Sequence, residues 1–340
     1  MIVILNQIHM NKLILYFAVF IGIFSSCATD SEPYVPASSG TPGHILIIME
    51  NQKWKYDPGK TVREMFNQAY EILPQDEAIF DYSHVPPEVY SDLLNKSRNI
   101  LIAKISVNVK KPEVLISKNV HAKPQMIITV KAKNNEQFIE LIKKNADKIV
   151  YSLTKAERDR LISVYSKKFL QKKIHKKLTD KHHINLAVPQ GYTLDVDSGN
   201  FVWLSRETPR SSQGILIWDY PYTDTLQLIP EKLLAKRDSI CKLHVPGPVD
   251  STYMTTEYII DPSVYEFLLD KKYAVLIKGL WKITGKKGIF MGGPFVEITV
   301  VDEKRGRLIT ADGYVYGGRK KKRELMRQIE AVLFTLKVAD

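Results

Sequence analysis

After residue 43 the apolar residues of this chain follow two alternating rhythms, short runs of strand length and longer stretches at helical spacing. That alternation restricts it to a layered fold of sheet and helix. His44-Ile-Leu-Ile-Ile-Met49, entered from Pro42-Gly43, has the length and branched content of a buried strand. A helix is expected over 61–70, where Val62, Met65, Phe66 and Ala69 share one face. Pro74 stops it, and strands are expected around 78–85, at 99–106 and at 125–132, with a short helix opened by Pro86-Pro87 and another over 135–148. Strand and helix alternate here as in an α/β layer.

Residues 154–183 are the most charged stretch and read as a basic connecting helix, with Leu161, Tyr165 and Phe169 on one stripe and Leu170, Ile174 and Leu178 on the next. Beyond it the chain is β-rich, with strands expected at 184–188, 192–199, 200–206 and 214–220, then a helix over 230–243 and a Pro/Gly break at 245–249. An antiparallel meander over 273–283, 294–302 and 307–316 leads to a closing amphipathic helix at 320–337 that turns Leu325, Ile329, Val332 and Leu336 inward. The fold class is therefore α+β, with an α/β-like first half (44–153) packed beside an antiparallel second half (184–340). A faint duplication is also legible: Ile-Leu-Ile-Ile at 45–48 against Ile-Leu-Ile-Trp at 215–218, and 123–130 against 293–300. Short buried strands also resemble one another without common descent.

The first 26 residues stand apart. Asn11-Lys12 precedes an apolar run of about 12 residues, well below the ~20 needed for a helix to span a bilayer, so the run reads as the core of an export signal. It ends in Phe24-Ser25-Ser26-Cys27, small residues before a cysteine, which is the pattern a lipoprotein signal peptidase accepts; an ordinary export signal with a cysteine near its cut is the alternative. Only Cys27 and Cys241 occur in 340 residues, so a disulfide scaffold is not the expectation. Cys27 is expected to carry the lipid, palmitate among its acyl groups, and Cys241 to be a small buried residue. Residues 27–43 read as a flexible tether.

The net charge is +12, and +11 once Lys12 leaves with the signal. Export argues against nucleic acid and for anionic lipid headgroups meeting the basic helix, with a merely solvated lysine-rich helix as the plainer reading. His182-His183 has no metal-site spacing, and Asp195-Val-Asp197-Ser-Gly199-Asn200 lacks the carboxylate that would close a calcium loop, its twelfth position being Arg206; no metal or other cofactor is expected. Gly288-Ile-Phe-Met-Gly292-Gly293-Pro294 precedes a strand, whereas a phosphate cradle opens a helix, so it reads as a turn. No Gly-x-Ser-x-Gly elbow is present.

Gly279-Leu280-Trp281, Met291-Gly-Gly-Pro-Phe295, Asp312-Gly-Tyr-Val-Tyr316 and the run from Lys320 to Leu333, together with Ser97-Arg98-Asn99-Ile100 and Asn119-Val-His-Ala-Lys-Pro-Gln125, resemble a lipoprotein family of Gram-negative bacteria, the domain-of-unknown-function family 4837. The resemblance runs over nearly the whole mature chain, with His121 where the family has Trp. It implies a cell-envelope, outer-membrane location and no reaction. Its motif residues Arg98, Asn99, Lys123, Gly292, Gly293 and Pro294 are the candidates for a shared ligand or partner surface, Arg98 and Lys123 foremost because a charge at a strand boundary needs a partner or a ligand. The expected role is a non-catalytic envelope module binding a protein or glycan partner. The alternative is a hydrolase using scattered carboxylates such as Asp195, Glu257, Asp261 and Glu297.

Overall fold

The computed structural model describes residues 35–318 and 320–339. The export signal, Cys27 and the start of the tether lie outside the described residues. Ala37–Asp340 form one compact unit.

The chain enters its first sheet at β1 (His44–Ile48), followed by two helices, α1 (Asn51–Lys55) and α2 (Asp57–Phe66), and then β2 (Asp81–Val85), β3 (Asn99–Ile105), β4 (Glu113–Lys118) and β5 (Met126–Ala132). The sheet order is β2-β1-β3-β5-β4; all neighbours are parallel except β4, which pairs antiparallel with β5. β1 is continuously apolar because both its faces are covered. Ile45, Ile47 and Met49 join the core under the helices, while Leu46 and Ile48 pack with Ile100 and Ile127 on the opposite side.

Helix α3 (Asn135–Lys167) is 33 residues long, about 50 Å, and is capped at its start by Asn134, whose side chain accepts from the Gln137 amide. It runs straight through the boundary expected at residue 153. The basic connecting helix of 154–183 is thus two pieces, the second half of α3 and a separate α4 (Lys172–His182). Leu170 separates them by bridging to Pro189, so the two apolar stripes at 161–169 and 170–178 belong to different helices.

Next come β6 (Ile184–Asn185), β7 (Thr193–Ser198), β8 (Phe201–Thr208), β9 (Ser211–Pro221), α5 (Pro230–His244), β10 (Tyr253–Glu257), β11 (Ser263–Leu269), β12 (Lys272–Thr284), β13 (Gly292–Asp302), β14 (Arg307–Tyr316), α6 (Arg323–Leu333) and β15 (Lys337–Val338). An eight-stranded sheet runs β10-β12-β13-β14-β9-β8-β7, with β11 also on β12, and β6 pairs only with β15. Every pairing in the eight-stranded sheet is antiparallel, as expected. Its alternation sorts side chains to two cores: Ala274, Leu276, Val296, Ile298, Ile309 and Ala311 face α6, while Val275, Ile277, Trp281, Phe295 and Tyr314 face α5. Tyr70 and Leu73 of the first half are buried in the α6-side core, which joins the halves.

The suggested duplication does not extend to topology. Residues 45–48 lie in a parallel central strand and 215–218 in an antiparallel one, so the shared pattern is that of buried strands generally. The tether also ends earlier than expected. Ala37 bridges to Lys123 and Ser39 to Ser97, and the Ser39 amide donates to Lys96 O at 2.9 Å while the Arg98 amide donates to Ser39 O at 2.8 Å. Residues 37–43 are therefore docked on the body through backbone hydrogen bonds, which a side-chain pattern does not announce.

Candidate functional site

Residues 117–126, between the end of β4 and the start of β5, wrap around a cis Lys123–Pro124 bond. Gln125 organises this loop: its side-chain amide donates to Asn95 O (2.6 Å) and Ser97 O (2.8 Å), and its carbonyl accepts from the His121 amide (3.0 Å). Opposite it runs the second half of α3. Between them lies a cavity of about 600 Å³ whose apolar lining is Ile116, Pro124 and Met126 from one wall and Tyr151, Ala156 and Val164 from α3. Seven basic residues line it, Arg98, Lys118, Lys123, Lys155, Arg160, Lys167 and Lys168, against one acid, Asp159. Lys155 is paired with Asp159 at 2.7 Å.

The back wall is a buried charge cluster. Glu157, 1 % exposed, accepts from Arg98 Nη2 (2.8 Å), Arg160 Nη1 (2.8 Å) and Asn99 Nδ2 (2.6 Å). Arg160 also donates to Asn99 Oδ1 (2.9 Å) and Arg98 O (2.7 Å). One carboxylate thus faces two guanidiniums, and the Nε–H groups of both arginines are buried with no hydrogen-bond partner among the described residues. Burial lowers the Arg160 guanidinium to about 10, so it remains a cation at neutral pH.

Of the expected surface residues, the structure brings Arg98, Asn99 and Lys123 to this one place. Asn99 is fully buried and holds the arginines rather than facing the cavity. Gly292, Gly293 and Pro294 are elsewhere, at the start of β13. Gly293 and Pro294 are buried there, and a Cβ on Gly292 or Gly293 would meet Trp281 O at 2.5 Å or Val315 O at 2.1 Å. Those glycines let strands pack closely and belong to no shared surface with Arg98. Glu157, Arg160 and the α3 flank were not singled out from sequence. Their signal is the small and polar stripe Ser152, Ala156, Ser163 on a helix otherwise lined with charge.

The four carboxylates of the hydrolase alternative do not converge. Asp195 is exposed on β7 and Glu257 is on β10, at opposite edges of the eight-stranded sheet; Glu257 pairs with Lys282 at 3.2 Å, and Asp261 is exposed in the loop beyond. Glu297 is 1 % exposed beneath α5, opposite Asp312 in the β13–β14 register, and neither of its oxygens has a hydrogen-bond partner among the described residues. Burial first, and the Asp312 charge second, raise its carboxyl well above the usual range. The sign follows directly. Between the unfolded pKa of about 4.3 and the higher folded one, the unfolded chain has released this proton and the folded chain has not, so stability falls as pH rises. Glu297→Gln should flatten that decline, whose slope reaches about 1.4 kcal/mol per pH unit. Urea melts of both proteins at pH 5 to 8 check this, and parallel profiles would refute it.

Other expected sites resolve structurally. Cys241 is buried under α5 with its thiol raised to about 12, chiefly by burial, and is inert at neutral pH. His182 bonds Asp197 at 2.9 Å, and Asp197 also takes Lys177 and Lys181, at 2.8 and 2.6 Å. Lys176 pairs with Asp180, so much of the charge of α4 is spent within the molecule. Residues 198–201 form the β7–β8 turn, with Gly199 at φ 60°. Among the described residues no group of three or more potential ligands converges on a metal position, and no helix is long and apolar enough to cross a membrane.

Residues 171–335 match the family model of a domain of unknown function, DUF4837. The matched residues begin with α4 and take in the eight-stranded sheet, α5 and α6. Residues 38–166 match a different domain of unknown function, DUF8532. The resemblance read over nearly the whole mature chain is therefore confined to the second part, and the motif residues Arg98, Asn99 and Lys123 fall in the DUF8532 match. The cavity is built mainly from that match, with Lys167 and Lys168 just past it. No curated protein matches the chain. Among solved structures, the Saccharomyces cerevisiae Ran-binding protein Mog1p is 9 % identical with a TM-score of 0.32, covering 46 % of this chain and 91 % of that one. A point mutant of protein Mog1 is 10 % identical with a TM-score of 0.31, covering 46 % and 92 %. Likeness at that level carries no argument about this chain.

Proposed function

We propose that the chain is a lipid-anchored protein of the cell envelope, held at the outer membrane through Cys27, and that its body is a non-catalytic binding module acting through the α3 cavity. The observation that carries the binding reading is the cavity itself: a space of about 600 Å³ with apolar walls and seven basic side chains against one acid. That volume lies within the ~300–1,000 Å³ of small-molecule sites, and the mixture of apolar wall with a few convergent polar groups is what such sites share. The export signal and Phe24-Ser25-Ser26-Cys27 support the anchor. With residues 37–43 docked, about ten residues separate Cys27 from the body, which bounds their span at roughly 35 Å. Ser38, at the end of that tether, lines the cavity, so its mouth stays close to the anchor point.

Two measurements test this. Mass spectrometry of the mature N-terminus is expected to find an acylated Cys27, and an unmodified cysteine there rules the anchor out. Native mass spectrometry of protein released gently from envelope extracts is expected to find a bound small molecule. Ala156→Trp, which fills the cavity from α3, is expected to lose it; retention by that variant would place the ligand elsewhere.

A further inference from the structure

Resting on the reading of the α3 cavity as a ligand site, we propose that its ligand is a single-chain anionic amphiphile, an alkyl chain ending in a phosphate or carboxylate. The two halves of that description come from two kinds of lining residue. Ile116, Pro124 and Met126 on one wall and Tyr151, Ala156 and Val164 of α3 on the other give the cavity apolar surface on both sides. A free phosphate or a sugar leaves that surface uncovered. An alkyl chain laid along α3 covers it and gains hydrophobic free energy with each methylene removed from water.

The head group is set by the cations. Lys118, Lys123, Lys167 and Lys168 line the cavity with no ion-pair partner among the described residues, and all four are exposed enough to swing toward a ligand. Behind them the guanidiniums of Arg98 and Arg160 add to the positive lining, and Glu157 offsets one of their two charges. An oxyanion among these cations supplies the counter-charge that the lining lacks. An uncharged amphiphile leaves that lining without a counter-charge, and a cationic one adds to the repulsion. A volume of about 600 Å³ is in the range of small-molecule sites and matches one chain with its head group.

The test uses the mature soluble body, residues 28–340, titrated by calorimetry with dodecyl phosphate below its micelle-forming concentration. Inorganic phosphate and an uncharged dodecyl glyceride are run beside it. Dodecyl phosphate is expected to bind at least tenfold more tightly than either. The double reversal Lys123→Glu/Lys168→Glu, made at two exposed side chains, is expected to weaken it at least tenfold with the thermal unfolding profile unchanged. Equal binding of phosphate alone, or of the uncharged glyceride, would overturn the amphiphile assignment, as would an unaffected double variant. Vesicles of a two-chain anionic lipid are expected not to compete; competition by them would transfer the site to bilayer headgroups and overturn the single-chain assignment. The cavity reading fails separately. If no amphiphile binds while native protein carries a molecule that Ala156→Trp loses, the ligand class is wrong and the site stands; if Ala156→Trp loses nothing, the site itself is wrong.

Discussion

Replacing Arg237 with methionine should destabilise the protein by about 3–5 kcal/mol at neutral pH, a large part of the ~5–15 kcal/mol that holds a domain together. Arg237 is fully buried on α5, donates from Nε to Asp312 and from Nη1 to Thr256 Oγ1 at 3.2 Å, and lies over the Phe295 ring at 3.7 Å. Methionine keeps most of the packing and removes the cation that faces two buried carboxyl groups, Asp312 and Glu297. Asp312, whose carboxyl is already raised by burial and held down by Arg237, then rises further. The loss should accordingly shrink at pH 5, where Asp312 takes a proton more cheaply, and grow at pH 8. Urea melts at the two pH values measure it. Adding Asp312→Leu to Arg237→Met should recover most of the loss, since a buried pair replaced by apolar groups is close to neutral while a half-removed one is not. A single variant within 1 kcal/mol of the parent would show that the pair is not the keystone of this core.

Arg237 also shows why part of this structure was hidden in the sequence. Within Pro230–His244 it reads as one more basic residue on a lysine-rich helix, and only the β13–β14 register, which sets Glu297 opposite Asp312 beneath it, makes it a core residue. The strands were legible for the opposite reason. Burial on both faces of β1 and alternation in β12 to β14 are local patterns, and the parallel core of the first sheet and the antiparallel second sheet follow from them. What failed were features set by contacts distant in sequence. β4 was missed because Glu113–Lys118 alternates weakly on an edge; β10 and β11 were missed because each is short and pairs only along β12. Residues 37–43 carry no apolar signal, and their docking is made by backbone groups. The cavity was half legible. Arg98 and Lys123 stood out as charges at strand boundaries, but Glu157 and Arg160, about sixty residues on, looked like ordinary helix surface.

Glu157 offers the second large effect, and it separates the structural role of that cluster from its role in binding. Glu157→Gln keeps the shape and one acceptor oxygen but removes the charge shared by Arg98 and Arg160. The buried Arg160 guanidinium then faces the partly buried one of Arg98, already close enough that Arg98 lowers the Arg160 pKa. A loss of about 3 kcal/mol is expected, toward the lower end of what breaking a buried ion pair costs, because the Gln carbonyl still accepts from one partner. The same change should act in the opposite sense on the ligand. With the compensating carboxylate gone, a docked oxyanion becomes the counter-charge for both arginines, so an anion should stabilise Glu157→Gln more than it stabilises the parent. Thermal unfolding with and without 1 mM dodecyl phosphate, a concentration set by the experimenter, reads both effects from one set of samples. A lower melting point with a larger ligand-induced rise fits a cluster that serves the cavity as well as the fold. A lower melting point with the parent's rise, or none, would confine Glu157 to holding α3 against β3, and the arginines behind the cavity would then be structural.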